Sequence, residues 1–324
     1  MTDVKFGLFL PTGDFEETLQ AAKAADKAGF FSVSMNDHFF TPFGTPETPQ
    51  LECFTTLTAI AAATEKVYMV PAVAAISFRT PPHLVKIATT LDHVSRGRFI
   101  MGLGAGWKPD EYHSHGYPFP STPVRLEQLR ETIQIAKAMW LEEKPCFEGT
   151  HFKIENAFNN PRSFQKPHPP IMLGGSATGL LRIAAELGDM VNIIPATGNG
   201  KDFPNDPVVT RNFDDARLLS RIELLKKFTK EAGRDADEVS LSGLTLLIVS
   251  EKDDDPMFAE VSGQLGFPDV EAARKSPLIH FGTPEQVTEE LQRRIKDTGI
   301  LYNIVAPLNP ESQTLFSERV LPEF

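Results

Sequence analysis

Eight short apolar runs, each followed by sequence of helical character, alternate along the 324 residues. That alternation leaves few folds open. The runs are Val4 to Leu10, Phe31 to Met35, Val67 to Val73, Arg98 to Gly104, Pro170 to Gly174, Asp189 to Ile194, Val239 to Val249 and Leu301 to Ala306. They are continuous rather than alternating, as parallel strands buried on both faces require. Helix signals fill the intervals. Asp14 with Glu17 caps an Ala-rich segment that stops at Gly29, Leu51 to Thr64 is helical by composition, and Pro81-Pro82 opens a helix running to Ser95. Leu126, Leu129, Ile133, Ala136 and Trp140 share one helical face. Further helices are expected from Ser176 to Leu187, from Asp214 to Gly233, and from Thr283 to Gly299.

This order predicts an α/β fold: a (β/α)8 TIM barrel with insertion loops at its C-terminal face, spanning 1–324 as one domain. An open doubly wound sheet would need a Gly-rich fingerprint after the first strand, and Leu10-Pro11-Thr12-Gly13 does not supply one. Pro71 interrupts the third run, so a bulge or irregular peptide is expected there. Residues 143–168 read as an excursion rich in Pro, Asn and Phe, and 42–49 and 195–213 as long loops.

Charge and cysteine usage remove several function classes. With 32 basic and 43 acidic residues the net charge is −11, which argues against duplex nucleic acid or an anionic membrane as partner. The two cysteines, Cys53 and Cys146, form neither a disulfide framework nor a zinc motif. The N-terminus lacks a signal-peptide pattern, and no apolar run approaches the roughly 18 residues of a membrane span. A soluble cytoplasmic protein is the expectation.

In a parallel barrel chemistry is placed where strands end. The second run ends in Asp37-His38. A histidine there can donate a hydrogen bond or a proton near neutral pH, and Asp37 can orient it or accept from a ligand N–H. Equally, Asp37 can cap a turn and His38 be an ordinary half-buried ring. Small residues after the third run, Ala72-Val73-Ala74-Ala75, let a flat ring lie against the backbone or simply pack the barrel. Gly102-Leu103-Gly104-Ala105-Gly106-Trp107 after the fourth run is not the dinucleotide fingerprint, although its glycines admit close approach of a ligand. After the fifth run, Gly174-Gly175-Ser176-Ala177-Thr178 leads into a helix and suits a phosphate; a plain Ser or Thr N-cap is the alternative. His113-Ser114-His115 beside Asp110 and Glu111 lacks a third ligand on a strand end, so no metal site is expected.

Taken in order, Asn36-Asp37-His38, Phe78-Arg79-Thr80-Pro81-Pro82, Leu91 to Arg98, Gly102 to Tyr112, Pro169 to Ser176 and Gly282 to Val287 carry a resemblance. The chain resembles the bacterial luciferase-like flavin monooxygenase superfamily, and within it the branch that uses the deazaflavin F420. The resemblance implies an oxidoreductase, usually a homodimer, with F420 or FMN at the C-terminal mouth of the barrel. It places Asp37 and His38 near the cofactor ring, with His38 as proton donor or polariser. The Ala72–Val73 peptide matches a non-proline cis bulge that backs the ring. Ala105, Gly106 and Trp107 fall at the cofactor's edge or tail, and Tyr112, Gly174, Gly175, Ser176 and Ala177 at its phosphate. Where some F420-dependent dehydrogenases carry a catalytic Glu, this chain has Trp107, and the phosphate-binding lysines of the sugar-phosphate enzyme have no recognisable counterpart. The alternatives are a two-component FMN-dependent monooxygenase supplied by a separate reductase, and a non-catalytic flavin-binding relative. Specificity for a small-molecule substrate is expected from the loops near residues 40–50, 108–122 and 195–213.

Overall fold

The computed structural model describes residues 4–42, 45–196 and 206–324. Elements follow in the order β1 (Lys5–Phe9), α1 (Phe15–Ala28), β2 (Ser32–Met35), α2 (Cys53–Ala63), β3 (Tyr68–Pro71), β4 (Ala74–Ala75), α3 (Pro81–Val94), β5 (Met101–Gly104), α4 (Pro109–Ser114) and α5 (Thr122–Leu141). A hairpin of β6 (Phe147–Glu148) and β7 (Lys153–Ile154) occupies the excursion. The chain continues through β8 (Ile171–Gly174), α6 (Thr178–Leu187), β9 (Met190–Ile193), α7 (Pro207–Arg211), α8 (Asp215–Glu231), β10 (Ser240–Val249), α9 (Pro256–Gln264), α10 (Val270–Arg274), β11 (Ile279–Gly282), α11 (Pro284–Thr298), β12 (Tyr302–Pro307) and α12 (Pro310–Leu315).

The strands pair in the order β3-β2-β1-β12-β10-β9-β8-β5-β4, all in parallel. β3 and β4 are two segments of one strand, and a Met69–Phe99 bridge joins β3 to the residues leading into β5. Eight strands therefore close on themselves, and they are the eight apolar runs. One strand stands outside that pattern. β10 pairs with β9 through Ser240 to Gly243, then with β11 through Leu246 to Val249. At four residues, between Pro277 and the helix start at Thr283, β11 is too short to be separated from a loop by pattern alone.

Local signals explain where helices begin and stop. The Asp14 carboxylate accepts from the Glu17 amide at 2.9 Å, and Gly29, at φ 92°, closes α1. Thr283 and Gln286 form a reciprocal capping box at α11. The stripe Leu129, Ile133, Ala136 and Trp140 is buried along α5, with Leu126 partly buried at its start.

Two apolar layers result. One lies between the sheet and its helices. The other fills the barrel with Val70, Ile100, Met172, Tyr302 and Ile304. Inside the barrel, the Tyr302 and Ser32 hydroxyls share a 2.6 Å hydrogen bond, so the buried phenol has a partner.

The irregularity expected at Pro71 shapes the mouth. β3 keeps register with β2 as far as Pro71, and the Ala72 amide still donates to Met35 O at 2.8 Å. The Ala72–Val73 peptide is cis, and pairing resumes at Ala74 opposite Leu103. Three neighbouring positions carry no side chain, and the bulge takes that space. A Cβ on Gly102 would meet Pro71 O at 1.9 Å, one on Gly104 would meet Val73 Cγ2 at 2.7 Å, and one on Gly174 would meet Val73 Cγ1 at 2.8 Å. Val73 is thus wedged between the ends of β5 and β8. Gly102→Ala is expected to destabilise the protein by about 3 kcal/mol, because a backbone oxygen must move. Gly29→Ala, with no atom within 4 Å of the added carbon, costs only the left-handed backbone penalty of roughly 1–2 kcal/mol. Urea unfolding of the two variants measures the difference.

Candidate active site

Above the Val73 wedge the strand ends enclose a cavity, lined from β2, β4, β5, β8, β9 and the starts of α5 and α6. All twelve residues singled out in the sequence line it: Asp37, His38, Ala72, Val73, Ala105, Gly106, Trp107, Tyr112, Gly174, Gly175, Ser176 and Ala177. Its floor is small side chains and backbone, which suits a flat ring. The two ends differ in chemistry.

One end is built around His38. Its Nδ1 lies 2.7 Å from Glu111 Oε2. Glu111 comes from α4, is fully buried, and also accepts from the Phe39 and Phe40 amides at 2.5 and 3.5 Å. A carboxylate can only accept, so Nδ1 carries the hydrogen and Nε2 is the nitrogen left for the cavity. The Trp107 ring stands edge-on to His38 at 5.5 Å, and the Lys108 ammonium sits over the Trp107 and Phe40 rings. Glu111 and Trp107 together fix the imidazole.

Asp37 does not orient His38. Both its oxygens accept from Arg79, at 2.7 and 3.0 Å, and Oδ2 also accepts from the Ala75 amide at 3.0 Å. Arg79 reaches Glu52 as well, at 2.6 Å, and stacks over Phe54. Burial pushes the Asp37 carboxyl above its ordinary value, and Arg79 acts in the opposite sense. Asp37 thereby ties the end of β2 to the segment after β4.

The other end is cationic. Arg125, on the first turn of α5, is 7% exposed. Its Nη1 donates to Pro120 O at 2.5 Å, its Nη2 to Thr122 Oγ1 at 3.2 Å, and its guanidinium lies 3.9 Å above the Phe119 ring. Its Nε has no partner, and no carboxylate among the described residues pairs with it. Burial lowers its pKa, partly countered by Tyr112. The buried Tyr112 hydroxyl, with Ser77 as polar neighbour, makes no hydrogen bond of good geometry. It lies under the loop at Gly106, where φ is 77° and a Cβ would come within 1.9 Å of it. α6 starts here from Ala177 without a side-chain cap, so no Ser or Thr satisfies its first amides. A buried guanidinium, a phenol and open helix amides match an anionic group such as a phosphate. Gly175 and Ser176 are otherwise engaged: the Gly175 amide donates to Asn192 O at 2.9 Å and the Ser176 hydroxyl to Ile194 O at 2.6 Å. They brace the turn that aims α6.

Arg79 and Glu111 fall inside the segments that carry the resemblance, but nothing in the sequence gives them, or Arg125, a role. Glu111 sits among Asp110, His113 and His115, where the eye goes to metals; yet His115 stacks on Phe39 at 4.3 Å. Its usable signal is its place in the Gly102 to Tyr112 block, on the first turn of the short helix that follows Lys108. Arg125 has no motif. Of the three loops expected to set specificity, 108–122 is described throughout, while residues 43–44 and 197–205 of the other two lie outside the described residues.

The family model for luciferase-like monooxygenases matches residues 4–201. The chain belongs to this family. Among luciferase-like relatives it is 30% identical over 276 residues to the pyrimidine monooxygenase RutA of Acinetobacter baylyi, covering 78% of this chain and 69% of that one. It is 29% identical over 202 residues to the F420-dependent glucose-6-phosphate dehydrogenase of Microbacterium testaceum, covering 61% and 58%. The chain spans about half to two thirds of the length of most such curated relatives. A solved F420-dependent secondary alcohol dehydrogenase, in complex with an F420-acetone adduct, superposes with a TM-score of 0.80 over 99% of both chains at 19% identity. That match shows the shared barrel.

Burial pushes the Tyr112 phenol up to about 12, against about 10 for a free tyrosine. Its folded value is the higher one. The stability this gives is complete below about pH 10 and is lost as pH rises through about 12. Measured by denaturant titration across that interval, Tyr112→Phe should lose roughly 2–3 kcal/mol less than the parent.

Proposed function

We propose that this chain is an oxidoreductase that holds a flavin-type cofactor, F420 with FMN as the alternative, in the cavity and passes hydride between it and a small organic substrate. The observation that carries the proposal is the polarity of the cavity. A buried guanidinium without a carboxylate faces one end, and an imidazole fixed by a buried carboxylate faces the other. F420 and FMN share this form, a planar ring joined to a phosphate-bearing chain. The F420-dependent relatives support the first cofactor and the monooxygenase relatives the second.

When bound, the cofactor supplies the ring that gives or takes hydride. The chain's own groups do the rest. Arg125, the Tyr112 hydroxyl and the first amides of α6 hold the phosphate. Ala72, Val73, Gly104 and Gly174 give the ring a flat bed, and Ala105, Gly106 and Trp107 line its edge. Glu111 keeps Nδ1 of His38 protonated, so Nε2 takes a proton from the substrate or returns one as the reaction direction demands. Asp37 and Arg79 hold the strand end from which His38 projects.

The same reading makes the protein a cytoplasmic homodimer of single-domain subunits, with a separate reductase if FMN is the cofactor. No helix among the described residues is long and apolar enough to cross a membrane.

Titration of the purified protein with F420 and with FMN, followed by fluorescence, tests the proposal; saturable binding of one is expected, and failure of both to bind overturns it. Arg125→Met is expected to weaken that binding by about tenfold or more, the cost of losing a charge-assisted contact. His38→Ala should leave cofactor affinity within about twofold and lower turnover by roughly 100-fold or more. Unchanged turnover in that variant would remove His38 from the chemistry.

A further inference from the structure

The mouth of the barrel has a second half. Over the ends of β1, β12 and β10 lies another cavity, of about 390 Å³, which meets the first at Leu244. We infer that this half is the substrate site, and that it takes a small uncharged organic molecule, mainly hydrocarbon in surface, with one hydrogen-bonding group. The inference rests on the cofactor reading of the neighbouring cavity, which fills the half over β2 to β9 and leaves this half for the reaction partner.

The walls follow from strand pleat. Side chains alternate along a strand, so the residues that continue the barrel's inner face arrive at the rim together. Leu244 pairs in register with Ile304 of the barrel interior, and two residues further Leu246 pairs with Ala306. Phe9 comes up beside them from β1, and Leu308 closes the outer side. The volume falls within the roughly 300–1,000 Å³ usual for small-molecule sites.

The polar content is narrow. Among the described residues Glu17 is the one titratable group on the lining; it is exposed, and its carboxylate would repel an anion. Among the described residues, no Lys, Arg or His stands on that lining to receive a carboxylate or phosphate ester. Thr12 is committed to Gln50, the Asn309 side chain caps α12, and Gln313 lines the cavity from α12, half-buried. Asn36 is different. It is 6% exposed, lines this cavity, and its Oδ1 has no hydrogen-bond partner. A buried amide left unsatisfied costs about 1–3 kcal/mol, which a hydroxyl, carbonyl or amide on a guest would recover. The amide can turn either face to that group. Asn36 also lies two residues before His38, which lines the neighbouring cavity.

Calorimetric titration of the full-length protein with cyclohexanol and with cyclohexanecarboxylate, the same ring with and without charge, tests the inference. Cyclohexanol is expected to bind at least about tenfold more tightly than the carboxylate. Ala306→Phe, which fills the cavity, and Leu308→Asp, which adds a charge at its half-exposed rim, should each weaken cyclohexanol by about tenfold while F420 or FMN affinity stays within about twofold. Asn36→Leu should also weaken the alcohol. Absent cyclohexanol binding, a carboxylate bound equally well, or binding that survives Ala306→Phe and Leu308→Asp would each overturn the assignment. The two readings fail separately. Cyclohexanol binding sensitive to these variants, with no cofactor binding, removes the cofactor and leaves an apolar site; cofactor binding with no cyclohexanol binding removes the substrate site alone.

Discussion

The mouth of this barrel depends on one steric arrangement: a valine held where two neighbouring strands have no side chain. Val73 fits against Gly104 and Gly174, and the Pro71 carbonyl occupies the space over Gly102. Close packing makes these positions interdependent, because none can gain a carbon without displacing another. The wedge is why the interior ends in a bed of backbone and small residues instead of the bulky layer that normally caps a barrel core. Position and chemistry are therefore joined. The irregular strand that forms the bed also carries Ala75, whose amide helps hold Asp37.

On that bed the charged groups are divided with little overlap. Asp37 and Arg79 neutralise each other, with Glu52 as a second acceptor, and serve to fix strand ends. Glu111 is committed to His38 and two amides. Among the described residues lining the cavity, Arg125 is the buried cation that has no carboxylate partner. In a chain of net charge −11 such a group stands out, because the other well-buried guanidiniums, Arg79 and Arg294, each pair with a carboxylate. A buried charge of this kind is unfavourable without a counter-charge, so its retention is informative about what the cavity receives.

The barrel was legible because burial on both faces imposes continuous apolar runs, and eight such runs separated by capped helices have few alternatives. The strand irregularity was legible because Pro71 has no amide to give. β11 was not, since Ile279-His280-Phe281-Gly282 is as short as many loops. Within the site, the strand-end residues were readable as a group, because topology alone brings the C-terminal ends together. Their roles were not. The Gly175 amide and Ser176 hydroxyl look free in the sequence, and only the meeting of β8 with the end of β9 shows them engaged. Glu111 serves the function expected of Asp37 because α4 folds back over the end of β2, a contact across 73 positions of chain.

The long strand β10 has a further effect. Its outer edge is paired with β9 low in the barrel and with β11 near the rim. A closed parallel barrel normally holds its circumference constant, because every strand must stay bonded to both neighbours along its length. Here β9 and β10 part company above Gly243, and β11 takes over the hydrogen bonds that β9 gives up. The girth of the upper rim is thus set independently of the packed core below. A family built on such a frame can widen or narrow its entrance by changing one short insert, with the closed wall beneath left intact.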